Sequence, residues 1–290
     1  MVQKILVGGG TGYLGQHILR ELKNQGYYTI ALTRNSQKLT ELGINSYIDK
    51  IVEAEVTKSD SILGVCEGVD CVISSIGITR QKDNLTYMDV DYQANLNLLA
   101  EAQKSKIQKF IYISVLNAHL LKELKIVQAK EAFVEKIKLS GLNYTIIRPN
   151  GFFSDMTEIL EMAKKGTVYL FGKGEFKGNP IHGKDLAKVC LDHIGKEVQE
   201  VDVGGPEILT QTQIAHLAFD ALHKKPNIKS VPVWVIQILL FFVRAFTKST
   251  FYGSIEFFLT VLTMDLIAPK YGEIKLADYY KEKIKEGKNV

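Results

Sequence analysis

The chain has 290 residues, 46% of them hydrophobic, which is enough for a sizeable core in one large domain or a domain with a lobe. Its 36 basic and 32 acidic residues give a formal net charge of +4 and are interspersed, which argues against a nucleic-acid-binding protein. Cys66, Cys71 and Cys190 form no CxxC pair, which argues against a disulfide framework and against a structural metal site.

The sequence also argues against membrane insertion and export. No apolar stretch reaches the roughly 18 residues that a transmembrane helix needs. The first predicted strand begins within a few residues of Met1, which leaves no room for a targeting peptide. We therefore expect a soluble, cytoplasmic, globular protein.

Short apolar segments alternate with helical patterns over residues 1 to about 150. The predicted strands are KILVG (4–8), YTIALT (28–33), DCVISS (70–75), KFIYIS (109–114) and YTIIRP (144–149). The helical patterns between them are GYLGQHILRELKNQG, VDYQANLNLLAEAQKS and LKIVQAKEAFVEKIKLSG. Because the strands are apolar at successive positions, they are typical of a sheet covered on both faces. The alternation predicts an α/β fold with a doubly wound parallel sheet of the Rossmann type.

The pattern changes after Pro149. A glycine-rich stretch at 171–183 is loop-like, 184–195 and 210–225 have helical patterns, and VDVGGPE contains a short strand. We therefore divide the chain into a Rossmann core, residues 1–150, and a small, mostly helical C-terminal lobe, residues 151–290. We expect the lobe to pack on the core rather than to form an independent domain.

The most apolar segments are 231–246 and 255–269, and each is too short to span a bilayer. Their composition is that of two helices buried in the lobe. The aromatic side chains of this region, with Arg244 and Lys248 beside them, also fit a surface for a peripheral membrane or a protein partner. A lining for a lipophilic substrate is a third interpretation.

Clustered glycines follow the first strand and open the first helix. Gly9, Gly12 and Gly15 give GxxGxxG, and Gly10, Gly12 and Gly15 give GxGxxG. In this strand–loop–helix context, bare backbone lets a pyrophosphate approach amide N–H groups at the positive end of the helix dipole. A tight turn is the alternative. The predicted dinucleotide contacts are Gly9, Gly10, Thr11, Gly12, Tyr13, Leu14 and Gly15.

The end of the second strand indicates which dinucleotide binds. NAD sites place an acidic residue there for the ribose 2′-hydroxyl, but the sequence has none between Gly26 and Thr40. Arg34 can pair with a 2′-phosphate, and Asn35 can donate beside it. We therefore predict NADP(H) in preference to NAD(H), although an exposed arginine in a turn is the simpler interpretation.

Further motifs continue the pattern of the glycine loop. They are LTRN, EAEVTKSDSI, GVDCVISSIG, DVDYQANLNLLAEA, KFIYIS, YTIIRPNGFF and IHGKDLAKV, and with VGGGTGYLG they extend to about residue 190. In this order they resemble the short-chain dehydrogenase/reductase superfamily. The resemblance is closest to its atypical NAD(P)-binding branch, which includes NmrA-like regulators, isoflavone-reductase-like enzymes and the Rossmann-type accessory subunit of respiratory complex I.

The resemblance implies cofactor contacts at the ends of several strands. It places Glu55 and Val56 beside the adenine. It implies that Ser74, Ser75, Ile76 and Gly77 run along the ribose and diphosphate, and that Pro149, Asn150, Gly151 and Phe152 border the nicotinamide. All of these residues follow or end predicted strands, where open α/β sheets bind ligands.

The resemblance also implies a catalytic pair, Y-x-x-x-K, whose Tyr transfers a proton and whose Lys holds the ribose. The corresponding stretch here is IVQAK, in which Lys130 is present but Ile126 replaces the Tyr. Lys130 could be a general base with a pKa lowered by burial near a cationic nicotinamide. Alternatively, Ser114, Tyr92 or His182 supplies the proton, or the protein binds NADP(H) without turnover.

Three further predictions complete the interpretation. Asp89 and Asp91 are expected to cap the following helix, and His182 to be an ordinary hydrogen-bonded histidine. Arg80, Lys82 and Asp83 fall in a loop that would cover the nicotinamide end. The chain is thus predicted to be an NADPH-dependent oxidoreductase for an apolar small molecule or, alternatively, a catalytically silent scaffold or redox sensor.

Overall fold

The computed structural model describes residues 2–79, 85–246 and 249–287. The strands are β1 (Lys4–Gly8), β2 (Tyr28–Thr33), β3 (Lys50–Glu53), β4 (Cys71–Ser74), β5 (Lys109–Ile113), β6 (Tyr144–Pro149), β7 (Val168–Phe171), β8 (Lys177–Gly178), β9 (Glu200–Val203), β10 (Leu209–Thr210) and β11 (Ile228–Val231). The helices are α1 (Tyr13–Asn24), α2 (Gln37–Glu41), α3 (Asn95–Lys104), α4 (Lys125–Lys138), α5 (Phe153–Lys164), α6 (Gly183–Asp192), α7 (Gln211–Ala221), α8 (Val233–Phe246), α9 (Ser249–Val261) and α10 (Leu276–Glu286). A π-helical segment, Met88–Ala94, runs directly into α3.

Seven strands form one sheet in the order β3-β2-β1-β4-β5-β6-β9. The pairs β1–β2, β1–β4, β2–β3, β4–β5 and β5–β6 are parallel. The chain reverses its direction of travel across the sheet between β1 and β4, which makes the carboxyl ends of these two strands the switch point where such sheets bind ligands. The predicted Rossmann-type α/β fold is confirmed.

The chain separates into two compact units. One runs to Arg148 and includes Leu186–Val201, and the other comprises Pro149–Asp185 and the chain from Asp202 onwards. The predicted division at residue 150 stays a prediction, but the return of residues 186–201 to the first unit was not foreseen. The second unit is largely helical and carries two small pairings, β7–β11 and β8–β10.

Each unit has its own apolar cluster. In the first unit, strand residues such as Leu6, Val72 and Phe110 pack with Leu98 and Phe133 from the helices. Because β4 and β5 are buried along their whole length, their continuous apolar sequences are those of strands covered on both faces. In the second unit, α5, α7 and α10 contribute most of the cluster.

The structure differs in two respects from what the sequence predicted for the C-terminal region. The second apolar segment is helical only as far as Val261, and Leu266 forms a bridge with Gly178 instead of continuing a helix. The strands β7 and β11 were not predicted. Each is four residues long, and neither sequence alternates between apolar and polar residues, so the sequence pattern indicates a strand only weakly.

Candidate nucleotide-binding site

The glycine loop is shaped by close backbone contacts. Gly9 has φ +81°, a conformation that favours glycine, and a Cβ there would lie 2.8 Å from the carbonyl oxygen of Ser75. A Cβ on Gly15 would collide with the carbonyl of Gly9 and lie 2.8 Å from Gly10 Cα. The Gly12 N–H donates to the Gly9 carbonyl over 2.9 Å, which closes the turn. Helix α1 can therefore approach the loop only because these residues lack side chains.

This geometry fits the diphosphate of a dinucleotide. Gly12 is the N-cap of α1 and makes no side-chain cap hydrogen bond, so no N-cap side chain covers the positive end of the helix dipole, where an anion is favoured. A Cβ added to Gly12 would meet only the Gly9 carbonyl, at 3.2 Å. Thr11, Tyr13 and Leu14 lie in the same loop and first turn, and Leu14 is buried.

The loop after β4 lies against the glycine loop. The Ser75 hydroxyl donates to the Gly8 carbonyl over 2.9 Å, and the Ser75 N–H donates to the same oxygen over 3.0 Å. The hydroxyl of Ser74 is buried and donates to Asn95 Oδ1, while the Asn95 amide donates to the Ile76 carbonyl. The two predicted cofactor-binding loops are thus joined at the switch point of the sheet.

Residues at the ends of β2 and β3 meet where an adenosine ribose is expected. Arg34 is about half exposed, and its guanidinium lies 3.9 Å from Glu55 Oε2. Asn35 Oδ1 accepts the Lys38 N–H, so the Asn35 carboxamide oxygen is directed at the first turn of α2. Val56 is buried in the apolar cluster of the first unit. Arg34 and Glu55, predicted for different parts of the cofactor, are therefore neighbours.

A second acidic residue at this corner bears on the choice of cofactor. Glu53 accepts the Ser36 N–H over 2.9 Å, and the Ser36 hydroxyl together with this N–H lowers the pKa of the Glu53 carboxyl. The predicted preference for NADP(H) took account only of acids after β2, whereas Glu53 ends β3 and Glu55, expected beside the adenine, follows it. A 2′-phosphate bound to Arg34 would lie close to Glu55, whose negative charge opposes it.

Lys130 forms a buried ion pair that the sequence did not indicate. Its Nζ lies 3.0 Å from Asp91 Oδ1, and the Asp91 side chain is completely buried. Asp91 Oδ2 accepts the Ile78 N–H over 3.2 Å. A Cβ on Gly77 would lie 2.6 Å from Asp91 Oδ1 and 3.1 Å from Lys130 Nζ. The bare backbone of Gly77 therefore lies directly on this pair, and Asp91 links the loop after β4 to α4.

Tyr112 on β5 completes the surroundings of Lys130. The Lys130 Nζ lies 5.5 Å from the centroid of the Tyr112 ring, which is itself fully buried against Phe133. Burial by itself lowers the pKa of Lys130, but the neighbouring Tyr112 and Asp91 outweigh it and raise the pKa above its ordinary value. Burial raises the pKa of Asp91, and the ammonium group of Lys130 acts against that shift.

This environment corrects the predicted protonation of Lys130. The expectation that burial would bring its pKa down towards neutrality is wrong, because the counter-ion beside it favours the charged form. Lys130 is an ammonium ion at neutral pH and can donate hydrogen bonds, whereas a general base would have to be deprotonated. The expectation that Asp91 caps a helix is also wrong, although Asp89 does accept the Thr86 N–H over 2.8 Å at the start of the π-helical segment.

The alternative proton donors are distributed over both units. The Ser114 hydroxyl donates to Glu131 Oε1 over 2.8 Å, and Arg148 binds the same carboxylate through two nitrogens at 2.7 and 2.9 Å. Tyr92 packs against the apolar cluster of the first unit. Ser114 is therefore held in an Arg148–Glu131 ion pair, and its predicted role in proton transfer stays a prediction.

The remaining predicted residues belong to the second unit. The Asn150 amide donates to Asn179 Oδ1 over 2.8 Å, and the Phe152 N–H donates to Asp155 over 3.0 Å. Pro149 ends β6, and Gly151 has open space around its Cα. Their placement beside a nicotinamide stays a prediction. Arg80, Lys82 and Asp83 lie outside the described residues.

His182 is also in the second unit. Its ring lies edge-on to Phe153 and Tyr279, each 5.7 Å away, and its Nδ1 accepts the Lys184 N–H. Burial lowers the pKa of the His182 imidazole, which favours the neutral ring. A hydrogen-bonded histidine, as expected from the sequence, accounts for these contacts.

The comparisons with known proteins agree with this geometry. The family of NAD(P)H-binding proteins matches residues 9–197, more than half of the chain. A divinyl chlorophyllide a 8-vinyl-reductase of Cucumis sativus is 28% identical over 98% of this chain and 76% of its own length. The photosystem II assembly factor Ycf39 of Synechocystis is 28% identical over 84% of this chain and 74% of its own length.

Solved structures show the same fold. AtPrR2 with NADP⁺ and (+)-pinoresinol superimposes with a TM-score of 0.77 and 18% identity, covering 97% of this chain and 99% of that one. The NADPH-dependent quinone oxidoreductase QOR2 of Escherichia coli, complexed with NADPH, superimposes with a TM-score of 0.70 and 15% sequence identity, covering 97% of this chain and 99% of that one. The glycine loop at the switch point, the parallel sheet and the family match lead to one conclusion. This chain belongs to the family of NAD(P)H-binding proteins and has a Rossmann-type fold.

Proposed function

We propose that the protein is an NADPH-dependent reductase of an apolar small molecule that carries a conjugated double bond. The buried Lys130–Asp91 pair under Gly77 carries the proposal, because Asp91 holds the Lys130 ammonium group beside the bare backbone of the loop after β4. A cation held there can donate hydrogen bonds to the ribose hydroxyls of a nicotinamide nucleotide. The vinyl-reductase relative, which matches nearly the whole chain, supports this reaction class.

The reaction would be a two-electron reduction. When bound, NADPH supplies a hydride to one carbon of the double bond and leaves as NADP⁺. The second carbon takes a proton, and water is its source in this proposal because Ile126 is apolar and buried where the superfamily has its Tyr. Lys130 then orients the cofactor and stays protonated throughout.

The preference for NADPH rests on Arg34. We expect Arg34→Ala to weaken NADPH binding about tenfold, because a charge-assisted contact to the 2′-phosphate is lost, and to change NADH binding by less than twofold. Glu55→Gln removes the opposing charge and should strengthen NADPH binding about threefold. Calorimetry with both coenzymes measures each effect, and equal losses of NADPH and NADH affinity in Arg34→Ala would contradict the assignment.

Turnover is tested by NADPH consumption with a divinyl tetrapyrrole, a quinone and an α,β-unsaturated ketone. Lys130→Met and Lys130→Arg serve as paired variants, with folding checked by circular dichroism. The proposal expects consumption with at least one of these substrates, a raised KM for NADPH in Lys130→Met, and partial rescue in Lys130→Arg.

A second function is supported by Ile126 and by the Ycf39 relative, whose name describes an assembly factor. In this alternative, the chain binds NADP(H) as a scaffold or redox sensor and contacts a protein partner. Tight NADPH binding by folded protein, without consumption on any of these substrates, would favour the scaffold. The cytoplasmic localisation stays a prediction in either case.

A further inference from the structure

Helix α8 is apolar on two sides, and only one of them is buried. Ile236 and Leu240 are 4% and 9% exposed and form its buried side. The other side carries large apolar residues at helical spacing, which we name the aromatic stripe. Its members and their exposed fractions are Trp234 (62%), Ile238 (49%), Phe241 (67%), Phe242 (51%) and Phe246 (79%).

The aromatic stripe is continuous. Phe241 and Phe242 are in edge contact at 5.7 Å, and Phe242 stacks on Phe246 at 6.2 Å with nearly parallel rings. Contiguous apolar patches on a protein surface, as opposed to scattered apolar residues, mark sites that contact another molecule or a membrane. An ordinary surface helix would have polar residues on this side.

The charge of the surrounding sequence indicates which kind of surface fits. From Ala221 to Ile255 the chain has no Asp or Glu. The same stretch contains five basic residues, which are Lys224, Lys225, Lys229, Arg244 and Lys248. The three lysines that precede α8 are exposed. An apolar stripe preceded in the sequence by exposed lysines, in a stretch without acidic residues, is complementary to an anionic lipid headgroup layer over hydrocarbon.

The length of α8 restricts how it can contact a bilayer. Its 14 residues span about 21 Å, short of the roughly 30 Å of hydrocarbon in a membrane. Among the helices of the described residues, none is long and apolar enough to cross a membrane. A helix of this kind lies in the plane of the interface, with Trp and Phe at the boundary between headgroups and acyl chains.

We propose that the aromatic stripe of α8 inserts into the surface of an anionic lipid bilayer, with Lys225 and Lys229 facing the headgroups. A second copy of the chain is a poorer occupant. A twofold interface would bring the same patch of each copy together, and with it the same basic residues, which repel one another. The proposal does not depend on the reductase activity.

The test uses the full chain and its single tryptophan, Trp234, as the reporter. Vesicles of phosphatidylcholine alone are compared with vesicles that also contain phosphatidylglycerol. We expect a blue shift of Trp234 emission, and flotation of the protein with the vesicles, only when phosphatidylglycerol is present. Phe241→Ser/Phe242→Ser should lower the partition coefficient at least tenfold. Lys225→Ser/Lys229→Ser should lower it about fivefold for each lysine at low salt.

Leu139→Ser is the matched control, because Leu139 is 81% exposed but lies in the first unit. It should leave the partition coefficient unchanged. NADPH affinity is measured on the same samples, and unchanged affinity in the Phe variant separates this proposal from the proposed function. Equal partition into neutral vesicles, or no partition of folded protein, would overturn the proposal. So would a dimer that hides Trp234 and that Phe241→Ser/Phe242→Ser dissociates.

Discussion

The two compact units depart from ordinary burial in opposite ways. In the first unit, Lys130 and Asp91 are charged side chains that lie inside the protein, 3.0 Å apart. In the second unit, Trp234, Phe241 and Phe246 are large apolar side chains that lie more than half exposed on α8. Removing two charges from water costs several kcal/mol per ion before their attraction is counted, whereas exposed apolar groups forgo the stabilisation that burial would give.

This difference indicates two kinds of function. The buried pair fixes one arrangement of Gly77, Asp91 and Lys130, which suits a site that must hold a ligand in one orientation. The side chains of the aromatic stripe are largely exposed and add little to the packing of their own unit. This suits a surface whose apolar groups are buried only when it binds another molecule or a membrane. Each deviation costs stability, and each can be tested by substitutions that separate the unit's folding from its function.

The largest effect is expected from Asp91→Ala. The substitution leaves Lys130 buried without its counter-ion and should lower the free energy of unfolding by about 3–5 kcal/mol. Urea denaturation followed by circular dichroism measures it. The double variant Asp91→Leu/Lys130→Met should recover most of the loss, because apolar groups need no pairing.

Lys138→Ala is the matched control for the buried pair. Lys138 pairs with Glu200 at 3.0 Å, but both side chains are more than a third exposed. A surface pair of this kind contributes about 0–1 kcal/mol. If Asp91→Ala costs no more than Lys138→Ala, then the charges of the first unit are not buried in solution, and the contrast between the units fails.

The opposite sides of α8 should respond differently to the same kind of substitution. Ile236→Ala removes a buried side chain and should lower the free energy of unfolding by about 2–4 kcal/mol. Phe241→Ala should change it by less than about 0.5 kcal/mol, because the ring is 67% exposed. Equal losses in the two variants, measured by thermal and urea denaturation, would show that the aromatic stripe packs against protein.

The sequence predicted the five central strands of the sheet, whereas β3 at one edge was not predicted and β9 at the other edge was assigned to the lobe. β1, β2 and β6 begin and end at the predicted residues, because a strand buried on both faces is continuously apolar and bounded by polar residues or glycine. The glycine loop was also predictable, since its spacing between β1 and α1 reflects collisions that any side chain would cause. The short strands β7 and β11 could not be predicted from sequence patterns, because their four-residue segments become strands by pairing with each other, and the two segments are distant in the sequence.

Sequence patterns did not indicate which residues contact Lys130. Asp91 precedes a helix and suggested a cap, and Tyr112 lies in an apolar strand and suggested core packing. A signal for a buried pair was nevertheless present. Lys130 falls on the same helix side as Ile126, Phe133 and Val134, which places a charge on the buried stripe and requires a counter-ion. Which acid supplies that charge depends on contacts between distant segments.

A substitution in the glycine loop tests whether the first unit's arrangement serves a nucleotide. Gly15→Ala introduces a Cβ that collides with the Gly9 carbonyl, so the loop must move away from α1. We expect NADPH affinity to fall at least tenfold, equivalent to about 1.4 kcal/mol, by calorimetry. Gly195→Ala is the control, since a Cβ there meets nothing within 4 Å. Unchanged affinity in Gly15→Ala would show that the glycine loop does not hold the nucleotide.

A carboxyl group of the second unit should make stability depend on pH. Burial raises the pKa of Asp155 from 3.8 to about 6, although the Phe152 N–H that it accepts acts against the shift. The folded protein therefore binds more protons than the unfolded chain between pH 4 and pH 6. Through this carboxyl, stability falls as the pH rises across that window and stays constant above it.

Asp155→Asn removes this titration while keeping an oxygen that can accept the Phe152 N–H. The variant should exceed the wild-type protein in free energy of unfolding by up to about 3 kcal/mol at pH 8, the equivalent of a shift of about two pKa units, and the advantage should vanish near pH 4. Comparing the two proteins at each pH by urea denaturation cancels other groups of this unit that titrate nearby, such as His182. An advantage that is the same at both pH values would mean that the Asp155 carboxyl is solvated in the folded protein and that burial does not raise its pKa.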